Sequence, residues 1–140
     1  MKVPTRVRYA LRAIVEIAER ASNVPVPIRD FAEAQSISSK YAKQLMNYLG
    51  KAGIVRGYRG VGGGYTLARS PDDITVGDIY DALGEDVRLA PCVSPDTDCE
   101  RKDNCAARDF WRTMNRLIES ELRATTIGNL LRDRKLHKGR

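Results

Sequence analysis

Three cysteines lie close together in one polar stretch of the chain, CVSPDTDCERKDNC, which covers residues 92–105. Six residues separate Cys92 from Cys99, and five separate Cys99 from Cys105. Cysteine thiolates bind zinc and iron–sulfur clusters, and they also oxidise reversibly. Structural zinc sites usually combine four ligands with paired C-x2-C spacings, and this stretch has neither. The spacing leaves three interpretations: an iron–sulfur cluster, a cluster-free thiol switch, or a loop with neither function.

The apolar segments and the N-terminus of the chain indicate its compartment. No apolar run approaches the length of a membrane helix, and the first twenty residues mix charged with apolar side chains, unlike a secretory signal. We therefore predict a cytoplasmic protein with no membrane partner. Thiols stay reduced in the cytoplasm, so clustered cysteines favour metal or redox chemistry over structural disulfides.

Charge is distributed unevenly along the 140 residues. Residues 1–69 carry 12 Lys and Arg against 4 Asp and Glu, a net charge of +8, whereas residues 70–140 carry 12 against 14, a net of −2. A basic N-terminal half is typical of a protein that binds a polyanion, although a solvated basic surface has the same composition. His137 is the single histidine, and a nucleophilic cysteine has no other candidate base. We therefore predict that the protein is not an enzyme.

The first half of the sequence predicts three helices. Thr5 is a candidate N-cap for the first, and a short second helix is expected around 28–34. After a tight turn, Ser38 caps a third helix, SKYAKQLMNYLGKA, and Gly53 ends it.

Two short strands are expected after the third helix, over 54–59 and 65–68, with a glycine-rich hairpin tip between them. In ITVGDI, Thr75 and Asp78 have the spacing of a capping box that starts a fourth helix. A long helix is expected from about 104 to 124, and a short last helix begins near Thr126.

This order of elements predicts a mainly α fold with a small β wing (α+β): a winged helix-turn-helix with a long C-terminal dimerisation helix. We divide the chain into a DNA-binding domain (1–84), a cysteine-bearing loop (85–104), a dimerisation helix region (105–133) and a basic, disordered tail (134–140). In this fold the third helix enters the major groove of DNA and the wing lies beside the backbone or minor groove. The candidate DNA-binding residues are Ser38, Ser39, Lys40, Lys43, Gln44, Arg56 and Arg59.

The long helix carries an apolar stripe that extends farther than one small domain needs. We therefore predict a homodimer in which this stripe packs against its symmetry mate. The candidate interface residues are Trp111, Met114, Leu117, Ile118 and Leu122.

Three sequence segments carry a resemblance to a known family: RYALRAIVEIA, the wing RGYRGVGGGYTLARS, and ITVGDIYDAL followed by a three-cysteine loop. Together they resemble the Rrf2 family of bacterial winged-helix regulators, and within it the IscR type of iron–sulfur regulator, over residues 1 to about 133. The resemblance implies a homodimer on a palindromic operator of double-stranded DNA. It implies that Tyr41, Gln44 and Arg59 face DNA and that Cys92, Cys99 and Cys105 bind an iron–sulfur cluster (2Fe-2S or 4Fe-4S).

The fourth ligand of such a cluster does not follow from the resemblance. The closest family pattern has a histidine three residues after the last cysteine, and here that position is Arg108, which stays protonated and is a poor ligand. Other members use an acidic residue near position 8 of the partner subunit, and this chain has Arg8. His137 lies in the charged tail. The remaining candidates are water, a small thiol, Asp98, Glu100 and Asp103.

The function that we predict is a sequence-specific transcriptional regulator, a repressor, that senses iron–sulfur, redox or nitric oxide status through the cluster. Two alternatives remain: a cluster-free thiol-switch regulator, and a winged helix that binds protein instead of DNA.

Overall fold

The computed structural model of the chain describes residues 2–20, 24–96 and 99–138. These residues form six α-helices and one two-stranded antiparallel sheet. In chain order the elements are α1 (Thr5–Glu19), α2 (Ile28–Gln35), α3 (Ser39–Lys51), β1 (Val55–Tyr58), β2 (Gly64–Leu67), α4 (Val76–Ala82), α5 (Ala106–Ala124) and α6 (Ile127–Lys138). The predicted fold class, a winged helix-turn-helix with a long C-terminal helix, is confirmed.

The start of α1 differs from the sequence prediction. Pro4 is the N-cap residue, and Thr5 is the first helical residue. The hydroxyl of Thr5 accepts a hydrogen bond of 3.3 Å from Nη2 of Arg8 and caps no backbone amide. The prediction that Thr5 caps α1 is therefore wrong by one residue, because the φ of −55° at Pro4 suits the position before the first turn.

The turn between α2 and α3 follows local sequence signals. Ser36 adopts the left-handed conformation at the end of α2, with a φ of 55°. The side chain of Ser38 then accepts a hydrogen bond of 3.0 Å from the backbone N–H of Tyr41, so the predicted N-cap of α3 is confirmed. Gly53, with a φ of 74°, follows the end of α3 as predicted.

The hydrophobic core decides which face of α3 meets solvent. Ala42, Leu45, Met46 and Leu49 of this helix are buried against the other helices, next to Ile14 of α1. Burying one such aliphatic side chain contributes about 1.5–3 kcal/mol. The apolar stripe therefore fixes the rotation of α3, and its polar residues are left outside.

The wing is paired with a third piece of extended chain. Val55 lies opposite Leu67 and Tyr58 opposite Gly64 in the β1–β2 hairpin. Val26, which precedes α2, exchanges two backbone hydrogen bonds with Tyr65, of 2.9 and 3.0 Å. This pairing connects the wing to the chain that leads into α2.

The fourth helix begins with the predicted capping box. The amide of Thr75 donates to a carboxylate oxygen of Asp78 at 2.9 Å, and the amide of Asp78 donates to the hydroxyl of Thr75 at 3.0 Å. Thr75 also pairs with Thr126, which brings the junction of α5 and α6 back beside α4. Residues 134–138, assigned above to the tail, are the last residues of α6.

Candidate DNA-binding surface and cysteine loop

The exposed face of α3 has the polar composition predicted for a DNA-reading helix. The side chains that face solvent there are Ser39, Lys40, Lys43, Gln44 and Asn47, and the cap residue Ser38 is exposed as well. Cationic side chains suit phosphates, and amide side chains can bond to base edges. Arg56 on β1 and Arg59 at the start of the wing tip are also exposed.

Tyr41 differs from its neighbours because it is half-buried. Its ring packs edge to face on Tyr9 of α1, with the ring centroids 6.1 Å apart. The guanidinium carbon of Arg12 lies 5.8 Å from the centre of the Tyr9 ring. Tyr41 therefore contributes to the packing of α3 on α1.

A groove of about 550 Å³ lies between α2, α3 and the wing. Arg29, Lys43 and Arg59 line it together with the polar side chain of Asn47, and none of its lining residues is acidic. Arg56 does not line this groove. Sequence analysis missed Arg29. Its position could have indicated a role, because it is a cation at the second residue of α2, the helix that precedes α3.

The three cysteines occupy different local settings on the loop. Cys92 lies in a short 3-10 helix (Pro91–Val93), Cys99 lies near a series of turns, and Cys105 is the N-cap residue of α5. All three are free thiols and half-buried. The long helix that was predicted from about 104 to 124 is confirmed, and it begins directly after Cys105.

The loop does not bring metal ligands together in this structure. Within the described ranges, no group of three or more Cys, His, Asp or Glu side chains could hold a metal ion. Glu100 and Asp103 are exposed, and Asp98 lies outside the described residues. His137 lies in α6, but its side chain is outside the described part of the structure. The thiols are suitable ligands for an iron–sulfur cluster, so the donor types of the loop fit such a group although the described residues form no three-ligand site in this structure.

Arg108 joins the two sides of the cysteine loop. Its Nε donates a hydrogen bond of 3.3 Å to the carbonyl oxygen of Cys92, and its Nη1 donates one of 2.8 Å to the carbonyl oxygen of Lys102. Arg108 lies in the first turn of α5 and donates hydrogen bonds to the backbone of the loop.

Asn115 attaches the same segment to α5 two turns further on. Its side chain is 8% exposed, and its Oδ1 accepts a hydrogen bond of 3.1 Å from the amide of Leu89. Its Nδ2 donates to Glu119 at 3.3 Å. Sequence analysis missed this residue, although an amide within the apolar stripe of a helix is a recognisable signal.

An ion pair attaches the start of this segment, residues 85–92, to α1. Nε of Arg6, in α1, lies 2.6 Å from a carboxylate oxygen of Glu85. Burial raises the pKa of the nearby Tyr80 phenol, and the charge of Glu85 raises it further. The segment 85–92 is thus held at one end by α1 and at the other by α5.

The apolar residues of α5 divide into an inner and an outer group. Ile118 and Leu122 are half-buried and pack against the core of their own chain. Leu117 is 59% exposed and Phe110 is 55% exposed, and their spacing of seven residues puts them on one face. Trp111 is also exposed, and its ring packs against that of Phe110 with centroids 5.1 Å apart. Sequence analysis missed Phe110.

An ion pair joins α4 to the end of α5. Two guanidinium nitrogens of Arg123 donate to the two carboxylate oxygens of Asp81, at 2.6 and 2.8 Å. This hydrogen bonding lowers the pKa of Asp81, against a smaller opposing effect of burial. A Cβ atom on Gly77 would lie 2.9 Å from the Arg123 side chain, so glycine leaves the space that this arginine needs.

The order of helices, the capped third helix with a polar outer face and the glycine-tipped wing define a winged helix-turn-helix regulator. The chain belongs to the Rrf2 family, described as iron-dependent transcriptional regulators, whose sequence profile matches residues 3–133. In the described part of the chain, no helix is long and apolar enough to cross a membrane.

Named relatives cover almost the whole chain. It is 37% identical over 136 residues to the HTH-type transcriptional regulator IscR of Vibrio atlanticus (strain LGP32), covering 97% of this chain and 78% of that protein. It is 38% identical over 136 residues to the protein rrf2 of Nitratidesulfovibrio vulgaris, covering 97% and 91%.

Two solved structures have the same fold over nearly their full lengths. IscR of T. potens matches with a TM-score of 0.74 and 34% identity, covering 95% of this chain and 88% of that one. CymR of B. subtilis, called the global cysteine regulator, matches with a TM-score of 0.78 and 31% identity, covering 93% and 95%. The chain is thus an Rrf2-family transcriptional regulator similar to IscR.

Proposed function

We propose that this protein is a homodimeric repressor of a palindromic operator. Its operator affinity responds to an iron–sulfur cluster, of the two-iron or four-iron type, held by Cys92, Cys99 and Cys105. The observation that carries the proposal is the exposed, basic face of α3 beside the wing, in a chain of a family described as iron-dependent transcriptional regulators.

DNA binding follows from the side chains on this face. Lys40 and Lys43 bind phosphates, and Gln44 bonds to a base edge in the major groove. Arg59 and the wing tip lie along the neighbouring backbone or minor groove. Tyr41 holds α3 on α1 through Tyr9, so its contribution to DNA binding is mainly to position the helix.

The occupant that we propose for the outer face of α5 is a second copy of this chain. Phe110 and Leu117 are large apolar side chains that are more than half exposed in the single chain. An unpaired helix face of this kind is stabilised by burial against its symmetry mate. A dimer gives two reading helices, which is what a palindromic operator requires.

Signalling from the loop uses the contacts of segment 85–92. Glu85 is bonded to α1, while Leu89 and Cys92 are bonded to α5 through Asn115 and Arg108. We propose that ligand binding rearranges the loop at Cys92 and that the change reaches α5 and α1 through these contacts. A bound cluster supplies iron that is sensitive to oxygen, nitric oxide and iron depletion.

The cluster proposal is tested on protein purified without oxygen. We expect visible absorbance together with iron and acid-labile sulfide, and we expect each single Cys→Ala variant of Cys92, Cys99 and Cys105 to lose them. His137→Ala serves as the control and should retain them. Operator affinity should differ between the cluster-bound and cluster-free forms. Stoichiometric zinc without iron, or equal affinity of the two forms, would overturn the proposal.

DNA binding is tested on an operator selected from random duplexes. The logarithm of affinity should fall with the logarithm of salt concentration by about 0.9 per neutralised phosphate. Lys43→Ala should reduce this slope by about one per subunit. Arg88→Ala removes the same charge from an exposed pair with Asp86 and should leave the slope unchanged. Salt-independent affinity of the unaltered protein would contradict DNA binding through this surface.

A second candidate function is a thiol switch without a cluster. It is favoured by the three free, half-buried thiols, and by the lack of a group of three or more metal ligands among the described residues. A solved structure of CymR from Staphylococcus aureus, 29% identical to this chain, is of an oxidized form. This function predicts that peroxide treatment of iron-free protein removes two thiols, detected by thiol titration, and changes operator affinity.

A further inference from the structure

The groove between α2, α3 and the wing has the composition of a phosphate-binding site. Each of its three sides contributes one cation: Arg29 from α2, Lys43 from α3 and Arg59 from the wing. No lining residue is acidic. Gly57, Gly60, Gly63 and Gly64 supply part of the wall, so backbone without side chains borders much of the space.

The charge of Arg29 is not neutralised by its neighbours. Among the described residues, no ion pair involves Arg29, Lys43 or Arg59. The adjacent carboxylate of Asp30 lies 3.5 Å from the guanidinium of Arg20, the residue that follows α1, and is engaged there. Three like charges around one groove repel each other and create a positive potential that an anion would relieve.

We propose that Arg29 binds a backbone phosphate of the operator, held in this groove with Lys43 and Arg59. The inference rests on the proposed DNA binding and extends the contact surface to α2. In helix-turn-helix proteins the helix before the reading helix crosses the DNA backbone, so a cation near its start faces phosphates. A guanidinium group binds phosphate oxygens in pairs and stays charged at all relevant pH values.

Arg29 has a different role from the residues of α3 because it lies on a different helix. Lys43 is fixed to the reading helix and moves with it, whereas Arg29 lies on α2 and Arg59 follows β1. A phosphate that contacts all three connects the reading helix, the preceding helix and the wing. Arg29 is therefore a positioning residue that sets the register of α3 on DNA and carries no base preference itself.

The test compares Arg29→Ala, Arg29→Lys and Arg88→Ala on the selected operator and on unrelated duplexes. The salt slope of Arg29→Ala should fall by about 0.9 per subunit, or about 1.8 for the dimer, on both kinds of DNA. Arg29→Lys keeps the charge and should keep the slope. Arg88→Ala should match the unaltered protein. Because Arg29 is exposed, all variants should have the same thermal unfolding midpoint, and Arg29→Gln replaces Arg29→Ala if that variant does not fold.

Two outcomes separate this inference from the proposed function. If the unaltered protein shows a steep slope and Arg29→Ala or Arg29→Gln shows the same slope, Arg29 binds no phosphate and the inference is wrong. If the unaltered protein shows no salt dependence, DNA binding through this surface fails as a whole. A loss confined to the operator, with unrelated duplexes unaffected, would make Arg29 a base-reading residue and would also overturn the inference.

Discussion

The guanidinium of Arg108 is hydrogen-bonded to the backbone of Cys92, with 3.3 Å between Nε and the carbonyl oxygen. The same guanidinium reaches the carbonyl oxygen of Lys102 at 2.8 Å. One side chain of α5 therefore holds both sides of the cysteine loop. These two hydrogen bonds hold the residues before Cys99 to the residues after it.

Arg108→Ala should loosen the cysteine loop. Hydrogen bonds from a charged donor contribute about 1.5–3 kcal/mol when buried, and less at a half-exposed site. A local loss of about 1.4 kcal/mol corresponds to roughly tenfold faster amide exchange. We expect this acceleration at residues 99–105 in cluster-free protein, measured by hydrogen–deuterium exchange. Arg112→Ala, one turn further on, is the control; equal protection in both variants would mean that Arg108 does not organise the loop.

Leu117→Asp should convert the proposed dimer into a monomer that stays folded. Leu117 is 59% exposed in the single chain, so the substitution leaves the core intact, but a carboxylate in an apolar interface costs several kcal/mol. Sedimentation should give one chain's mass, and operator affinity should fall. Val24→Asp is a matched control because Val24 is 60% exposed and lies outside α5. A Leu117→Asp protein that still sediments as a dimer would place the interface elsewhere.

Much of the fold could be predicted from the sequence because its signals are local. The cap at Ser38, the capping box at Thr75 and Asp78, and the helix end at Gly53 each depend on residues within a few positions. The helical spacing of apolar residues in α3 and α5 can likewise be recognised from the local sequence. These signals can be read without knowing how the helices pack against each other.

The contacts that organise the candidate site lacked a local signal. Arg108 meets Cys92 across sixteen positions, and Asn115 meets Leu89 across 26. The pairing of Val26 with Tyr65 joins segments that sequence periodicity treats as unrelated. These contacts depend on how helices pack, so the sequence indicated the residue types of the site but not their partners.

Gly64→Ala should detach the wing from the chain before α2. A Cβ atom at this position would lie 2.4 Å from the carbonyl oxygen of Val26, and the φ of 147° is unfavourable for other residues. Overpacking and backbone strain together should cost about 2–4 kcal/mol of unfolding free energy. Gly62→Ala has a φ of 76° but no atom within 4 Å, so it should cost only about 1–2 kcal/mol. Chemical denaturation measures both; equal losses would contradict the predicted clash.

The Asp81–Arg123 pair should make stability depend on pH in the acid range. Its hydrogen bonds lower the pKa of Asp81 in the folded protein, so the stabilisation is complete above the unfolded pKa of about 4 and is lost as pH falls through the folded pKa. Both side chains are more than half exposed, which limits the coupling energy to about 0.5–1 kcal/mol. A double-mutant cycle with Asp81→Asn and Arg123→Gln should show this coupling at pH 7 and progressively less of it as pH falls through the acid range. Coupling that persists in acid would contradict an ionic origin.

Asn115→Ala should weaken the link between the cysteine segment and α5. The substitution removes the acceptor of the Leu89 amide from a site that is 8% exposed, and a buried amide without a partner costs about 1–3 kcal/mol. The free energy of unfolding should fall by this amount, and amide exchange at residue 89 should accelerate. Asn115→Asp retains an acceptor for that amide, but it places a carboxylate beside Glu119 and should therefore recover only the exchange protection. If segment 85–92 transmits the state of the loop, operator affinity of Asn115→Ala should also differ less between cluster-bound and cluster-free protein. An unchanged difference in a variant with accelerated exchange would show that the signal reaches α5 by another route.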